Sequence, residues 1–219
     1  MLKVAVLVSG GGTNLQAILD AVDSGKITNA KVEKVISNVA GAYALERAKN
    51  HNVTGVTLRR KDFDSKADWE TALIEEIEGC GAQLIVLAGF MAILSENFSK
   101  HFENKIINVH PSLIPSFCGE GMYGLHVHEA ALAKGVKVSG ATVHFVNEEV
   151  DGGKIIAQKA VEVLRGDTPE VLQKRVMEKA EWIILPRAIQ TIAEDAALSA
   201  AIGGTTCMRR NPDATDALH

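Results

Sequence analysis

Short apolar runs alternate with stretches of helical spacing along the first half of the chain. The runs predict strands at residues 4–8, 32–38, 55–58, 84–88 and 106–109. The stretches between them predict helices at residues 14–23, 43–50 and 64–77. Apolar strands separated by helices are typical of a parallel sheet that is covered on both faces. We therefore expect an α/β fold, with a mostly parallel, twisted sheet flanked by helices on both faces.

The pattern changes after Pro111, where a long loop is predicted over residues 111–125. The elements predicted beyond this loop are a helix at 127–134, strands at 138–147 and 155–163, and a last helix that begins at Thr168. From about residue 196 the chain turns small and polar, which predicts a flexible tail over 196–219. Because no repeat or low-complexity linker interrupts the rest, we expect residues 1–195 to form one domain.

Composition and charge argue against several classes of protein. The 219 residues carry 23 Lys+Arg against 27 Asp+Glu, and this net charge of −4 does not favour a protein that coats nucleic acid. No run of eighteen apolar residues predicts a membrane span, and the N-terminus lacks the layout of a signal peptide. The three scattered cysteines argue against a disulfide framework. We expect a cytoplasmic monomer or homodimer that binds small molecules, with no nucleic-acid or membrane partner.

A glycine turn at residues 10–12 follows the first predicted strand. It lacks the third glycine of a dinucleotide fingerprint, which would stand at Leu15, and the second strand ends in Asn38 rather than in an acid. No lysine of a phosphate-loop ATPase follows it either. What remains is a turn with free backbone N–H groups, the Thr13 hydroxyl and a helix N-terminus, which suits a monophosphate or another anion. A plain tight turn is the alternative.

Asn108 and His110 stand two apart in a predicted strand, so their side chains face the same side. An amide donates to an oxygen, and an imidazole donates as a cation or moves a proton. A structural histidine is the alternative interpretation.

Asp151 precedes two glycines, which predicts the tip of a hairpin. If that tip folds back towards His110, its carboxylate would raise the pKa of the imidazole and fix the orientation of the ring.

Other histidines and one cysteine give weaker signals. His126 and His128 form a His-x-His pair, but no further ligand with suitable spacing accompanies them, so no metal site is predicted. His144 is expected to pack or to contact a substrate rather than to act in catalysis. Cys118 lies in the long loop, and no neighbour in sequence marks it as a nucleophile.

Four segments, in this order, resemble the folate-dependent formyltransferase superfamily. They are VSGGGTNL at 8–15, LAGFM at 87–91, NVHPSLIP at 108–115 and the stretch from GATVHFV to VDGG at 140–153. The chain is most similar to the phosphoribosylglycinamide formyltransferases of purine synthesis, over residues 1–195. The resemblance implies a Rossmann-like fold and an enzyme without a metal. Such an enzyme transfers the formyl group of its co-substrate 10-formyltetrahydrofolate to the amine of glycinamide ribonucleotide.

The same resemblance implies roles for individual residues. Asn108, His110 and Asp151 match the catalytic trio, in which Asp151 keeps His110 cationic beside the oxyanion of a tetrahedral intermediate. The residues matched to the ribosyl phosphate substrate are Gly12, Thr13, Asn14 and Glu181. The residues matched to the folate are Lys66, Met91, Ala92, Ile93, Leu94, Asn108, Asn147, Glu148, Glu149, Val150 and Asp151.

The chain departs from the family pattern at several positions. Ala92 and Lys66 stand where some members carry arginine, and the loop at 117–124 is longer than in short-loop members. The last helix has one extra residue before Glu181 compared with some members, and Trp182 replaces the usual histidine.

Several other functions stay open. A formyltetrahydrofolate deformylase would carry an extra N-terminal domain, whereas we expect this chain to begin with its first strand. A methionyl-tRNA formyltransferase would carry a C-terminal RNA-holding domain, and sugar-nucleotide formyltransferases fit the glycine turn less well. Outside the superfamily, the alternatives are a non-catalytic phosphate- or folate-binding protein and a nicotinamide oxidoreductase.

Overall fold

A computed structural model describes residues 1–202 and shows one seven-stranded sheet. Its strands are β1 (Leu2–Val8), β2 (Ala30–Ser37), β3 (Thr54–Thr57), β4 (Leu84–Leu87), β5 (Ile106–His110), β6 (Val138–Phe145) and β7 (Ile155–Glu162). The strand order is β3-β2-β1-β4-β5-β6-β7, parallel from β3 to β5 and antiparallel for β6 and β7. The predicted α/β fold with a mostly parallel sheet is confirmed.

Helices connect the strands and cover the sheet. They are α1 (Thr13–Asp23), α2 (Tyr43–Asn50), α3 (Lys66–Gly79), α4 (Glu96–His101), α5 (Leu125–Lys134), α6 (Pro169–Val176) and α7 (Trp182–Ala201). A short 3₁₀ turn lies at Arg60–Asp62, and a π-helical turn at Met177–Glu181 joins α6 to α7. No helix within residues 1–202 is long and apolar enough to cross a membrane.

The two faces of the sheet enter separate hydrophobic clusters. Val4 and Val6 of β1 pack into a first cluster, which contains the apolar side chains of α1, α6 and α7. Ala5 and Leu7, which alternate with them, enter a second cluster that contains Trp69 of α3. This alternation follows from the two-residue period of a strand. The apolar runs of β1 and β4 are therefore strands buried on both sides, whereas β3 at the edge of the sheet is mostly exposed.

Two helical features differ from the sequence-based prediction, namely helix α4 and the end of helix α7. Helix α4 was not predicted, because it has only six residues; its start is set by Ser95, whose side chain accepts a hydrogen bond from the N–H of Phe98. Helix α7 continues to Ala201, so it runs beyond residue 196, where the tail was expected to begin. The tail positions 203–219 lie outside the described residues.

The strand order brings three chemically unusual segments to one edge. Because β1, β4 and β5 are parallel neighbours, their carboxyl ends lie side by side. The glycine turn at 10–12, the segment at 89–94 and the residues Asn108 and His110 therefore meet at this edge. Ligands of open α/β sheets bind at such edges.

Candidate active site

Asn108 and His110 lie on β5 and share the face of Ile106, as the strand period predicted. Asp151 lies between β6 and β7, in the left-handed backbone region with φ of 56°. Its Oδ2 is 3.4 Å from Nδ1 of His110. The structure thus brings the three residues of the expected trio to one place, and His110 is almost completely buried there.

The loop after β5 holds His110 and Asp151 through its backbone. The carbonyl oxygen of Phe117 is 2.8 Å from Nε2 of His110, and the N–H of Gly119 donates to Oδ2 of Asp151 at 3.0 Å. A carbonyl only accepts hydrogen bonds, so Nε2 of His110 carries a hydrogen. Neither contact was predicted, because backbone groups leave no signal in a sequence.

The protonation of His110 differs from the expectation. Burial lowers the pKa of its imidazole, while the Phe117 carbonyl and the Asp151 charge raise it and His144 lowers it further. The net pKa lies below the usual value, so the Asp151 charge raises the pKa as expected but does not outweigh burial in the ligand-free protein. Burial also raises the pKa of Asp151, but the contact with His144 and the hydrogen bond from the Gly119 N–H outweigh this effect and lower it. Asp151 is therefore a carboxylate at neutral pH.

His144 completes the cluster, although no catalytic role was predicted for it. Its Nε2 lies 3.3 Å from Nδ2 of Asn108 and 3.5 Å from Oδ1 of Asp151. Its Nδ1 lies 2.8 Å from the carbonyl oxygen of Phe145. The side chain of His144 is thus buried against the trio.

The glycine turn begins α1 in a geometry that only glycine adopts easily. Gly12 has φ of 71°, and a Cβ there would lie 2.6 Å from the Cβ of Ala44. Nε of Arg47 donates to the carbonyl oxygen of Gly11 at 2.7 Å. No acidic residue stands in the first turn of α1, whose N–H groups have no partner within the helix. The turn therefore offers an anion both backbone donors and a nearby guanidinium.

The first and last helical segments meet at a buried polar pair. Nδ2 of Asn14 donates to Oε2 of Glu181 at 2.7 Å. Burial raises the pKa of Glu181 to about 6, and the hydrogen bond from Asn14 works against this rise. Glu181 ends the π-helical turn, and a π turn accommodates one residue more than an α-helical turn. The π turn thus provides room for the extra residue expected in this segment, and Glu181 reaches the start of α1.

A groove of about 740 Å³ opens beside the same turn. It is lined by one side of α1, from Thr13 to Ser24, by Arg47, and by the start of α7, including Trp182 and Gln190. The indole N–H of Trp182 is buried and has no hydrogen-bond partner within residues 1–202. None of the three trio residues lines the groove. The groove instead includes Thr13, which was matched to the ribosyl phosphate substrate.

The residues matched to the folate fall into exposed and packed groups. Met91, Ile93 and Val150 expose 55%, 71% and 49% of their surface, which leaves apolar area without protein contacts. Ala92 and Leu94 instead pack against the second cluster. The remaining members on the 147–151 segment are the exposed Glu148 and Glu149, together with Asn147, whose side-chain oxygen accepts the N–H of Glu149.

Contacts with residues distant in sequence hold the 91–95 segment in place. The N–H of Met91 donates to Oγ of Ser9 at 2.8 Å. The carboxylate of Glu70 accepts hydrogen bonds from the N–H and the hydroxyl of Ser95. Lys66 lies 3.7 Å from the same carboxylate, which links it indirectly to this segment. The sequence analysis found Lys66 but missed Ser9 and Glu70, whose partners are distant in sequence.

Comparison with known proteins decides the family. A family model described as formyl transferase matches residues 2–189. This chain belongs to the formyl transferase family. The family predicted from the four motifs is therefore confirmed. Within residues 1–202, no group of three or more histidine, cysteine, aspartate or glutamate residues is arranged to hold a metal ion.

Two curated relatives and one solved structure are similar to this chain over most of its length. The phosphoribosylglycinamide formyltransferase of Haemophilus influenzae is 43% identical over 89% of this chain and 88% of its own. The trifunctional purine biosynthetic protein adenosine-3 of Gallus gallus is 44% identical over 89% of this chain and 19% of its own. The crystal structure of glycinamide ribonucleotide transformylase 1 from Symbiobacterium toebii has a TM-score of 0.83 at 44% identity, over 89% of this chain and 88% of that one.

Proposed function

We propose that this formyl transferase moves the formyl group of 10-formyltetrahydrofolate to the amine of glycinamide ribonucleotide in purine biosynthesis. The observation that carries the proposal is the cluster of Asn108, His110 and Asp151 at the sheet edge that also holds the anion turn. Relatives that bear the matching name support it. The substrates are two small molecules, handled in the cytoplasm by a monomer or homodimer without nucleic acid or membrane.

The ribonucleotide would bind at the start of α1. Its phosphate would accept hydrogen bonds from the backbone N–H groups of residues 12–14 and from the Thr13 hydroxyl. Glu181 only accepts hydrogen bonds when ionised, so it would bind ribosyl hydroxyl groups rather than the phosphate. Asn14, which donates to Glu181, would keep the carboxylate in place.

The folate would bind on the other side of the trio. The exposed Met91, Ile93 and Val150 offer apolar surface to the flat pteridine ring. The backbone and side chains of 147–151 offer hydrogen-bonding groups to its edge. Lys66 provides a positive charge near the 91–95 segment, for a carboxylate of the folate tail.

The chemistry is an acyl transfer to an amine. The amine nitrogen forms a bond to the formyl carbon, and the carbonyl electrons move onto its oxygen. Asn108 donates a hydrogen bond to this oxyanion, and so does the ring N–H of His110, which lies 2.8 Å from the Phe117 carbonyl oxygen in the ligand-free protein. The carboxylate of Asp151 accepts the proton that the amine loses, directly or through water. The same proton then passes to N10 of the folate as the bond between N10 and the formyl carbon breaks, which restores the Asp151 carboxylate.

The test is a turnover assay with the acceptor present and absent. Purified protein is mixed with 10-formyltetrahydrofolate, with or without glycinamide ribonucleotide, and the absorbance of the deformylated folate is followed. Product that requires the ribonucleotide and is lost in His110→Ala supports the transferase. Product without the ribonucleotide would favour a deformylase-like hydrolase. No turnover from a well-folded protein would favour a non-catalytic phosphate- or folate-binding protein.

A further inference from the structure

We propose that His144 is a positioning residue that orients the amide of Asn108 towards the formyl oxygen. This inference rests on the proposed function, because it gives Asn108 the part of an oxyanion donor. An asparagine side chain has two rotatable bonds, so its amide stabilises an oxyanion well only if its N–H groups already point at the oxygen. Asn108 is partly exposed on β5, so its orientation must be fixed by a neighbour.

The strand register makes His144 that neighbour. Asn108 and His144 are directly opposite each other in the antiparallel pair of β5 and β6. Side chains in such pairs lie close enough to interact. The β6–β7 pairing shifts register between Val143 and His144, and an irregularity of this kind re-aims a side chain. The imidazole is fully buried, with 1% of its surface exposed, so it holds a single position.

The hydrogen bonds of the ring determine which atom of Asn108 it holds. The carbonyl of Phe145 only accepts, so the hydrogen of a neutral His144 ring sits on Nδ1. Nε2 then presents a lone pair and accepts an N–H from Nδ2 of Asn108, 3.3 Å away. One amide hydrogen is thereby held by the protein, and the second remains available to the substrate oxygen.

The hairpin tip fixes the carbonyl that orients His144. A Cβ at Gly153 would lie 1.8 Å from the Phe145 oxygen, so only glycine allows the tip to pass there. The N–H of Phe145 also donates to the carbonyl of Lys154 at 2.9 Å. The same tip carries Asp151, whose Oδ1 is 3.5 Å from Nε2 of His144. His144 therefore contacts two of the three proposed catalytic residues.

A packing role and a positioning role predict different results for three variants. His144→Gln retains an amide oxygen that reaches towards Asn108. His144→Asn keeps a polar group near the Phe145 carbonyl but is too short to reach Asn108. His144→Leu fills the space without any acceptor. A positioning role predicts that kcat falls about tenfold or more in His144→Asn and His144→Leu, whereas His144→Gln keeps much of the wild-type kcat. KM for both substrates should stay within about twofold of wild type.

A double-mutant cycle with Asn108→Ala provides the decisive readout. If His144 acts through Asn108, His144→Asn should lower kcat in the wild-type background and have almost no further effect in the Asn108→Ala background. Equal loss in both backgrounds would overturn the inference, as would wild-type kcat in the Asn and Leu variants. Thermal unfolding identifies any variant that fails to fold, and the Gln–Asn pair keeps the comparison between two polar side chains.

The same measurements separate this inference from the proposed function. Asn108→Ala alone should lower kcat by about a hundredfold or more if Asn108 stabilises the oxyanion. Wild-type kcat in that variant would overturn the proposed catalytic part of Asn108. A large loss in Asn108→Ala that multiplies with the loss in His144→Asn would leave the proposed function standing and remove only His144 from it.

Discussion

Asn14 and Glu181 stand 167 positions apart in the sequence, and their side chains share a buried hydrogen bond of 2.7 Å. Asn14 lies in the first turn of α1, and Glu181 ends the π turn before α7. The pair joins the two helical segments that flank the expected substrate groove. Because burial raises the pKa of Glu181 to about 6, a group expected to bind substrate also reduces stability at neutral pH.

Replacing Glu181 with glutamine should change the pH dependence of stability. The pKa of this carboxyl rises from 4.5 to about 6 on folding, so the folded state binds more protons between these values and stability falls as pH rises through them. Glu181→Gln removes this titration and keeps an acceptor for Asn14. Its free energy of unfolding, relative to wild type, should increase by about 2 kcal/mol between pH 4.5 and 7.5.

Denaturant unfolding at the two pH values measures this difference. Glu178→Gln, a change at a partly exposed carboxylate of the same π turn, is the control and should show no comparable increase. An equal stability difference for Glu181→Gln at both pH values would contradict the buried-carboxylate account. In the turnover assay, the same variant should raise KM for the ribonucleotide.

Two neighbouring glycines should respond differently to alanine. Gly12→Ala places a Cβ 2.6 Å from that of Ala44 at a φ of 71°, so we expect a loss of about 1–3 kcal/mol in stability and a higher KM for the ribonucleotide. Gly10→Ala meets no atom within 4 Å and should behave like wild type. Denaturant unfolding and steady-state kinetics of both variants check this, and equal effects would show that the turn is not sterically constrained at Gly12.

His128 should make the protein sensitive to acid. Its ring nitrogens are buried without a partner among the described residues, and burial lowers its pKa from 6.5 to about 4. The unfolded chain therefore binds more protons between these values, and stability falls as pH drops through this window, by on the order of 3 kcal/mol. His128→Leu should reduce this loss.

His126→Leu is the matched control, because His126 lies two residues away and is 61% exposed. Unfolding free energies measured from pH 7 to pH 4 compare the three proteins. If His128→Leu lost as much unfolding free energy between pH 7 and pH 4 as wild type, another titrating group would be responsible for the loss.

The fold was predictable because its signals are local. Alternation in β1 and the apolar stripe of α1 specify their buried faces without reference to the rest of the chain. The π turn was not predictable in the same way. An extra residue was expected before Glu181, but the backbone conformation there depends on packing against β6 and β7 and on the hydrogen bond between Glu181 and Asn14 of α1.

The residues proposed for the site could be predicted from the sequence, but the contacts among them could not. Asn108, His110 and Asp151 follow from the motifs, whereas the contact between Asn108 and His144 requires the register of β5 on β6. The lowered pKa of His110 reverses the expected direction, because the sequence shows a carboxylate partner but not the degree of burial. The carbonyl of Phe117 acts through backbone geometry, which no residue type specifies.

The fate of the formyl carbon tests the central claim most directly. The protein is given 10-formyltetrahydrofolate labelled with ¹³C in the formyl group, together with glycinamide ribonucleotide, and the carbon is followed by NMR. The account predicts that the label appears as an N-formyl amide of the ribonucleotide, at a rate reduced about a hundredfold or more in His110→Ala. Label that appears only as free formate, or at the same rate in His110→Ala, would contradict it.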